Sequence, residues 1–274
     1  MTVLYITYDG LLDPLGPSQT LPYVKGISKH QDKVVIVSFE KDERFLHGKD
    51  ALLSDLQNYS IEWQPLRFTK GLGFIGKFWD LSRMYMTALI ISCKHNIKVV
   101  HTRGYPPAPV GLFIKHITKA KFIFDFRGLW VDERVDKGGW DLNRLFDRLQ
   151  YKYYKRVERT LLIQSDHVVV LTDKVVDEVM KLGAIEKSRI TVIPCCADYN
   201  HFPLSTNTSK IDARISLGIP TDAFVLGYLG SIGKMYLLDR FFHLFKLAVN
   251  VRKDCHALLI TCLLYTSPSP RDRG

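Results

Sequence analysis

The sequence predicts an α/β fold, a parallel β-sheet with helices packed on both faces. Short apolar runs alternate with longer helical stretches along nearly the whole chain. Most of these runs are continuous Val, Ile, Leu and Phe rather than alternating, as in strands buried on both faces. Strand, helix, strand, repeated in that order, leaves parallel pairing through helical crossovers as the simplest topology.

The elements follow in chain order. Residues 3–7 form the first strand and lead through a long loop into a helix at 19–29. Strands are expected at 33–39 and 61–66, a helix at 76–95, a strand at 97–101 and a helix at 107–118. Then come a strand at 121–124, a helix at 141–165, a strand at 167–171, a helix at 173–182 and a strand at 189–193. Residues 194–210 (PCCADYNHFPLSTNTSK) carry two prolines and a Ser/Thr/Asn cluster, and read as a crossover between domains. Beyond it a helix at 209–217 precedes a new series: a strand at 223–228, a helix at 235–249 and a strand at 256–261. One strand–helix–strand unit cannot bury both faces of a sheet. The expected organisation is therefore a first domain over 1–203 and the start of a second over 204–261. Residues 262–274 (CLLYTSPSPRDRG) break a strand with a Ser-Pro repeat and read as a non-native tail of translated adaptor sequence.

Composition narrows the partners. Hydrophobic residues make up 46% and charged residues 24%, as in ordinary globular chains. The net charge of +10 favours anionic partners: nucleotide phosphates, nucleic acid or an anionic membrane. Five cysteines with no C-x-x-C spacing suggest neither a zinc site nor a disulfide framework, and fit a reducing compartment. Residues 1–8 start directly as a strand without a charged leader, and no apolar run approaches a membrane span. A cytoplasmic location is expected.

In parallel sheets ligands bind at the carboxyl ends of strands, so the strand-end loops are where chemistry is sought. The first loop runs from Tyr8 to Gln19. Asp9 and Gly10 at the strand tip are candidate substrate contacts. Gly16 permits close backbone approach, and Ser18 is placed to cap a helix starting near Gln19, whose free amides would hold a phosphate. His101-Thr102-Arg103-Gly104 ends another strand. There Arg103 is a candidate acceptor contact, while His101 reads as a packed histidine. The loop Asp125–Glu133 (DFRGLWVDE) offers Asp125, able to orient a hydroxyl or accept its proton, and Arg127, a fixed cationic fork for phosphate or carboxylate. An internal Asp125–Arg127 ion pair that shapes the loop is the competing reading. Gly230-Ser231-Ile232-Gly233-Lys234 closes the strand at 223–228 with two glycines and a lysine suited to a diphosphate leaving group. A plain glycine turn is the alternative there. Gly71-Leu72-Gly73-Phe74-Ile75-Gly76 matches a dinucleotide fingerprint by letters only, because no acid follows at the required distance.

The stretches ITYDGLLDPLGPSQTLPYVKGIS, VVIVSFEK, HTRGYPPAPVG, FDFRGLWVDE, VIPCCAD and LGYLGSIGKMYLL resemble, in order and spacing, the family-4 glycosyltransferases of the GT-B fold. The resemblance spans roughly residues 1–260. It implies two Rossmann-like domains, the first holding the acceptor and the second the nucleotide sugar, with transfer in the cleft between them and retention of anomeric configuration. It places the Asp125–Arg127 loop near the reacting sugar, while the residue chemistry above assigns Gly16, Ser18, Gly230, Ser231, Gly233 and Lys234 to the donor's phosphates. Many relatives carry Arg directly after the glycine where this chain has Ser231, and two later glutamates have no counterpart here. The chain thus reads as an acceptor-side domain with an incomplete donor-side domain, inactive by itself. The parent protein would be a hexosyltransferase of polysaccharide or lipid-linked saccharide synthesis. The implied partners are a nucleoside diphosphate sugar as co-substrate, a sugar or lipid-linked acceptor, and no nucleic acid. No cofactor or metal is implied, since cations and amides can hold a diphosphate.

Two basic features suggest peripheral contact with an anionic membrane. Residues 67–86 interleave Arg67, Lys70, Lys77 and Arg83 with aromatics, with glycines 71, 73 and 76 keeping the first half mobile. Arg144, Arg148, Lys152, Lys155 and Arg159 form a stripe beside an apolar line of Leu145, Leu149, Tyr153 and Val157. A solvated helix face is the plainer reading. Two other functions compete with sugar transfer. A Rossmann-fold oxidoreductase or epimerase requires a glycine fingerprint in the first loop, which is missing, and an acid after the second strand, a place Glu40 fills loosely. A sugar-phosphate or membrane-binding module without turnover is the non-enzymatic alternative.

Overall fold

The computed structural model describes residues 1–71, 73–197, 199, 202, 204–232 and 236–261. The chain divides into two compact units, Met1–Ala197 and Asp198–Gly274.

The first unit is a seven-stranded, wholly parallel sheet in the order β3-β2-β1-β4-β5-β6-β7. Its strands are β1 (Thr2–Thr7), β2 (Lys33–Glu40), β3 (Ile61–Arg67), β4 (Ile97–Arg103), β5 (Lys121–Asp125), β6 (His167–Val170) and β7 (Ile190–Val192). The helices are α1 (Leu21–Ser28), α2 (Asp42–Leu56), α3 (Gly73–Lys94), α4 (Ala108–Thr118), α5 (Trp130–Asp136), α6 (Leu145–Gln164) and α7 (Val176–Gly183). Every strand expected from the sequence forms. The β1 and β2 strands are buried almost end to end, which explains their unbroken apolar runs. Two apolar cores result. The larger joins Leu4, Ile6, Phe39, Phe122, Phe124 and Leu161, and the smaller joins Val3, Tyr5, Val34, Ile36 and Trp63.

Two helices were not expected. α2 mixes charged and apolar residues and buries only Leu52 and Leu56, so its period is faint in the sequence. α5 is two turns long and buries only Val131. α3 starts at Gly73, so the glycines at 73 and 76, read as keeping the segment mobile, lie within a helix. No described helix is long and apolar enough to cross a membrane.

In the second unit β8 (Phe224–Leu229) and β9 (Cys255–Ile260) pair in parallel, with α8 (Asn207–Ser216) before them and α9 (Leu238–Val251) between them. The two strands have no fully buried residue. Residues 262–274, read as a non-native tail, lie outside the described residues.

Candidate functional site

Strand register assembles the site. Thr7 of β1 pairs with Arg103 of β4, Arg103 with Asp125 of β5, and Asp125 with Val169 of β6. These residues form a row at the carboxyl ends of neighbouring strands. Here β1 lies between β2 and β4, so successive crossovers leave in opposite directions and open a crevice. A cavity of about 220 Å³ occupies it, lined by Ser18, Gln19, Pro22, Tyr23, Arg103, Asp125, Arg127 and Val169, and by Ile193–Cys196 after β7. Every lining residue belongs to the first unit.

Charge in the cavity is unevenly satisfied. Asp125 is 2% exposed, and its carboxylate lies 3.8 Å from Arg103 Nη1 and 3.7 Å from Arg127 Nη1. Those distances are ion pairs but too long for hydrogen bonds, and Asp125 Oδ1 has no hydrogen-bond donor. Burial raises the Asp125 carboxyl above the ordinary carboxylate range, against the opposing pull of Arg127 and then Arg103. Both arginines donate through Nη2 to one neutral acceptor, Gln19 Oε1, each at 2.7 Å. Arg127 Nη2 also reaches Cys195 Sγ at 3.6 Å. Beneath them His101 is buried against the rings of Tyr5 and Tyr23. Burial, with Arg103 and Arg127 adding to it, pushes its pKa down to about 3, so it is a neutral packing histidine. Burial and the Asp125 charge push Tyr23 up to about 12.

The first loop is built differently from expectation. Glu40, at the end of β2, is fully buried. It accepts hydrogen bonds from the amides of Leu11 (2.8 Å) and Leu12 (3.2 Å) and from Ser38 Oγ (2.6 Å). The loop's inward amides therefore already hold an anion, the protein's own carboxylate. Glu40, which loosely filled the place of the acid after the second strand, is thus engaged by the loop's own amides and Ser38. The helix also begins earlier than expected. A π-helical turn, Gly16–Thr20, runs straight into α1, the Gly16 amide donates to the Asp13 carbonyl, and Ser18 Oγ donates to the Pro14 carbonyl. Ser18 is inside this helix rather than its cap. Gly16 serves packing: a Cβ there would lie 2.0 Å from the Leu11 carbonyl oxygen.

Of the candidate residues, Ser18, Arg103, Asp125 and Arg127 share the cavity. Asp9 is exposed, with its amide turned to Thr7 Oγ1, and Gly10 is buried against the Glu40 carboxylate. With Gly16, these residues do not line the cavity. Gly230 and Ser231 follow β8 in the second unit, and Gly233 and Lys234 lie outside the described residues. Gln19 was missed as a site residue. Its only sequence signal was a polar side chain three positions after Gly16.

The Arg127 loop rests on a buried polar network. Tyr105 donates its hydroxyl to the Gly128 carbonyl and to fully buried Glu158. Lys155 bridges Glu158 at 2.5 Å and Asp132 at 3.0 Å, and Tyr151 donates to Asp132 at 2.8 Å. Trp130 packs between Tyr105, Trp140 and Tyr154, with Arg134 over its ring. Gly128 has φ +148°, a conformation only glycine adopts readily. Lys155, expected on a basic surface stripe, is thus turned inward. Arg67 and Arg83 are likewise committed, to Asp42 and to Asp80.

The family described as Glycosyl transferase 4-like domain matches residues 32–196, more than half of the chain. The chain belongs to this family. No curated protein matches it. Solved structures share the GT-B fold of these glycosyltransferases. HepE of Anabaena, crystallised with UDP and glucose, matches with a TM-score of 0.59 and 14% identity over 94% of this chain and 60% of its own. A glycosyltransferase from Rickettsia africae gives a TM-score of 0.60 and 17% identity over 95% and 60%. UDP-GlcNAc 2-epimerase from Neisseria meningitidis, bound to UDP-GlcNAc, gives 0.56 and 11% over 100% and 67%. The chain thus spans about 60% of the length of the first two.

Proposed function

We propose that this glycosyltransferase-family chain serves the transfer of a hexosyl group from a nucleoside diphosphate sugar to an acceptor hydroxyl, with retention, in polysaccharide or lipid-linked saccharide synthesis. In this reading the Met1–Ala197 unit holds the acceptor. The supporting observation is the cavity at the carboxyl ends of β1, β4 and β5, where Asp125 Oδ1 presents a buried acceptor atom with no donor of its own. An acceptor hydroxyl fills that need. The raised pKa of Asp125 brings it nearer the operating pH, which improves it as a proton acceptor or orienting group. Arg103 and Arg127 hold the acceptor. Gly230, Ser231, Gly233 and Lys234 are assigned to the donor's diphosphate, whose negative charge grows as the glycosidic bond breaks.

The test supplies the chain with the donor-side domain of a structural neighbour, UDP- and GDP-sugars, and a panel of saccharide acceptors. Acceptor-dependent release of nucleoside diphosphate is expected, with Asp125→Ala lowering kcat by about 100-fold or more. Transfer that is unchanged in Asp125→Ala would refute the assignment.

A peripheral membrane contact fits the surface of the same unit. Near the start of α3, Ile75, Phe78 and Trp79 are exposed, and α6 exposes Leu145, Leu149 and Tyr153 beside Arg148, Lys152 and Arg159. Co-sedimentation with anionic vesicles, weakening with salt, is expected. Equal, salt-independent recovery with neutral vesicles would sink this contact.

A further inference from the structure

The cavity is asymmetric in what it offers and what it lacks. Arg103 and Arg127 bring two positive charges and Asp125 one negative charge, and no other lining residue carries a formal charge at neutral pH. The cavity therefore has a net charge of +1. The two guanidiniums converge rather than diverge. Each Nη2 lies 2.7 Å from the same oxygen of Gln19, so the two nitrogens are at most twice that distance apart. Like charges held this close need a shared acceptor, and a neutral amide oxygen is a weak one compared with an oxyanion. Arg103 is almost wholly buried and its Nε has no partner, so its charge is poorly relieved by solvent. On the other side of the pair, Asp125 Oδ1 awaits a donor.

We propose that the cavity recognises a saccharide carrying an oxyanion, a phosphate monoester or a carboxylate, next to the hydroxyl that meets Asp125. The oxyanion bridges Arg103 and Arg127 and displaces Gln19 Oε1, and the hydroxyl donates to Asp125. Gln19 then acts as a gate residue that holds the guanidiniums together until the anion arrives. Calling this saccharide the acceptor rests on the transferase reading above, whereas its binding does not.

The test is isothermal titration of the full chain with glucose, glucose 6-phosphate, glucuronate and inorganic phosphate at low and raised salt. At least one charged sugar is expected to bind about 10-fold or more tightly than glucose, with inorganic phosphate weaker than that sugar and all anion binding reduced by salt. Which charged sugar binds distinguishes the phosphate source from the carboxylate source. Arg127→Gln is expected to abolish the preference for charge, and Arg127→Lys to retain part of it. Arg127 is the less buried of the two arginines, and an unchanged melting temperature of each variant confirms that it folds. The proposal is overturned if glucose matches both charged sugars, if inorganic phosphate binds as tightly as the better-bound charged sugar, or if Arg127→Gln keeps the discrimination. No donor sugar is present, so failure here leaves sugar transfer standing. Retained anion binding in a chain that supports no transfer even with a donor-side domain supplied would overturn only the transferase reading.

Discussion

Removing the Glu40 carboxylate should loosen the loop that carries Gln19 into the cavity. In Glu40→Ala, the Leu11 amide and the Ser38 hydroxyl lose a buried acceptor, and the half-buried Leu12 amide loses a longer one. Each fully buried donor left without a partner costs about 1–3 kcal/mol, or about 2–6 kcal/mol for the two. Part of this is offset because the variant no longer buries a carboxylate, a cost visible in the raised pKa of Glu40, where burial outweighs the hydrogen bonds. A net loss of about 3 kcal/mol is expected, or about 6–12 °C in Tm for a unit of this size. Glu40→Gln keeps one acceptor oxygen and sheds the charge, so it should cost only about 1 kcal/mol. The pH dependence separates the two contributions. A carboxyl whose folded pKa is raised contributes stability that is complete below its unfolded value near 4.5 and is lost as pH rises through the folded value. The stability of the native chain minus that of Glu40→Gln should therefore fall as pH rises from about 4.5 and then level off. Urea denaturation of the native chain and both variants between about pH 4.5 and 7.5 reads this directly. A Glu40→Ala variant within about 0.5 kcal/mol of native, or a difference that climbs with pH, would refute the reasoning.

His101 predicts the opposite slope. Its folded pKa lies far below its unfolded value of 6.5, so stability should rise by about 1.4 kcal/mol per pH unit between about pH 3 and 6.5. His101→Phe should flatten that part of the profile in acid-titrated melts. Gly16→Ala sets a Cβ against the Leu11 backbone rather than a movable side chain. A loss of about 2 kcal/mol or more is expected by thermal melting, with weaker anion binding as the loop shifts. Tyr105→Phe removes the donor that joins Glu158 to the Gly128 carbonyl. It should cost about 1–3 kcal/mol in urea denaturation and change the emission of Trp130, whose ring packs on Tyr105.

The order of the strands, most of the helices, the parallel sheet and the place of Asp125 at a strand tip could be read from residues alone. Buried parallel strands are continuous apolar runs, and that signal is local. Arg103, Asp125 and Arg127 were visible because charged residues within three positions of the end of such a run lie at or just past a strand tip. The parts that escaped were those whose meaning depends on partners far along the chain. Gln19 matters because residues 84 and 108 positions away donate to it. Glu40 looked like a ribose acid, yet the fold turns it into an anchor for the loop of Leu11 and Leu12. Lys155 fits a surface stripe by period, but buried Glu158 draws it inward. Local chemistry fixes which residues can form a strand, a helix or a charged tip. Which donor meets which acceptor is set by register and packing across the sheet, and only the folded chain brings those groups within hydrogen-bonding distance.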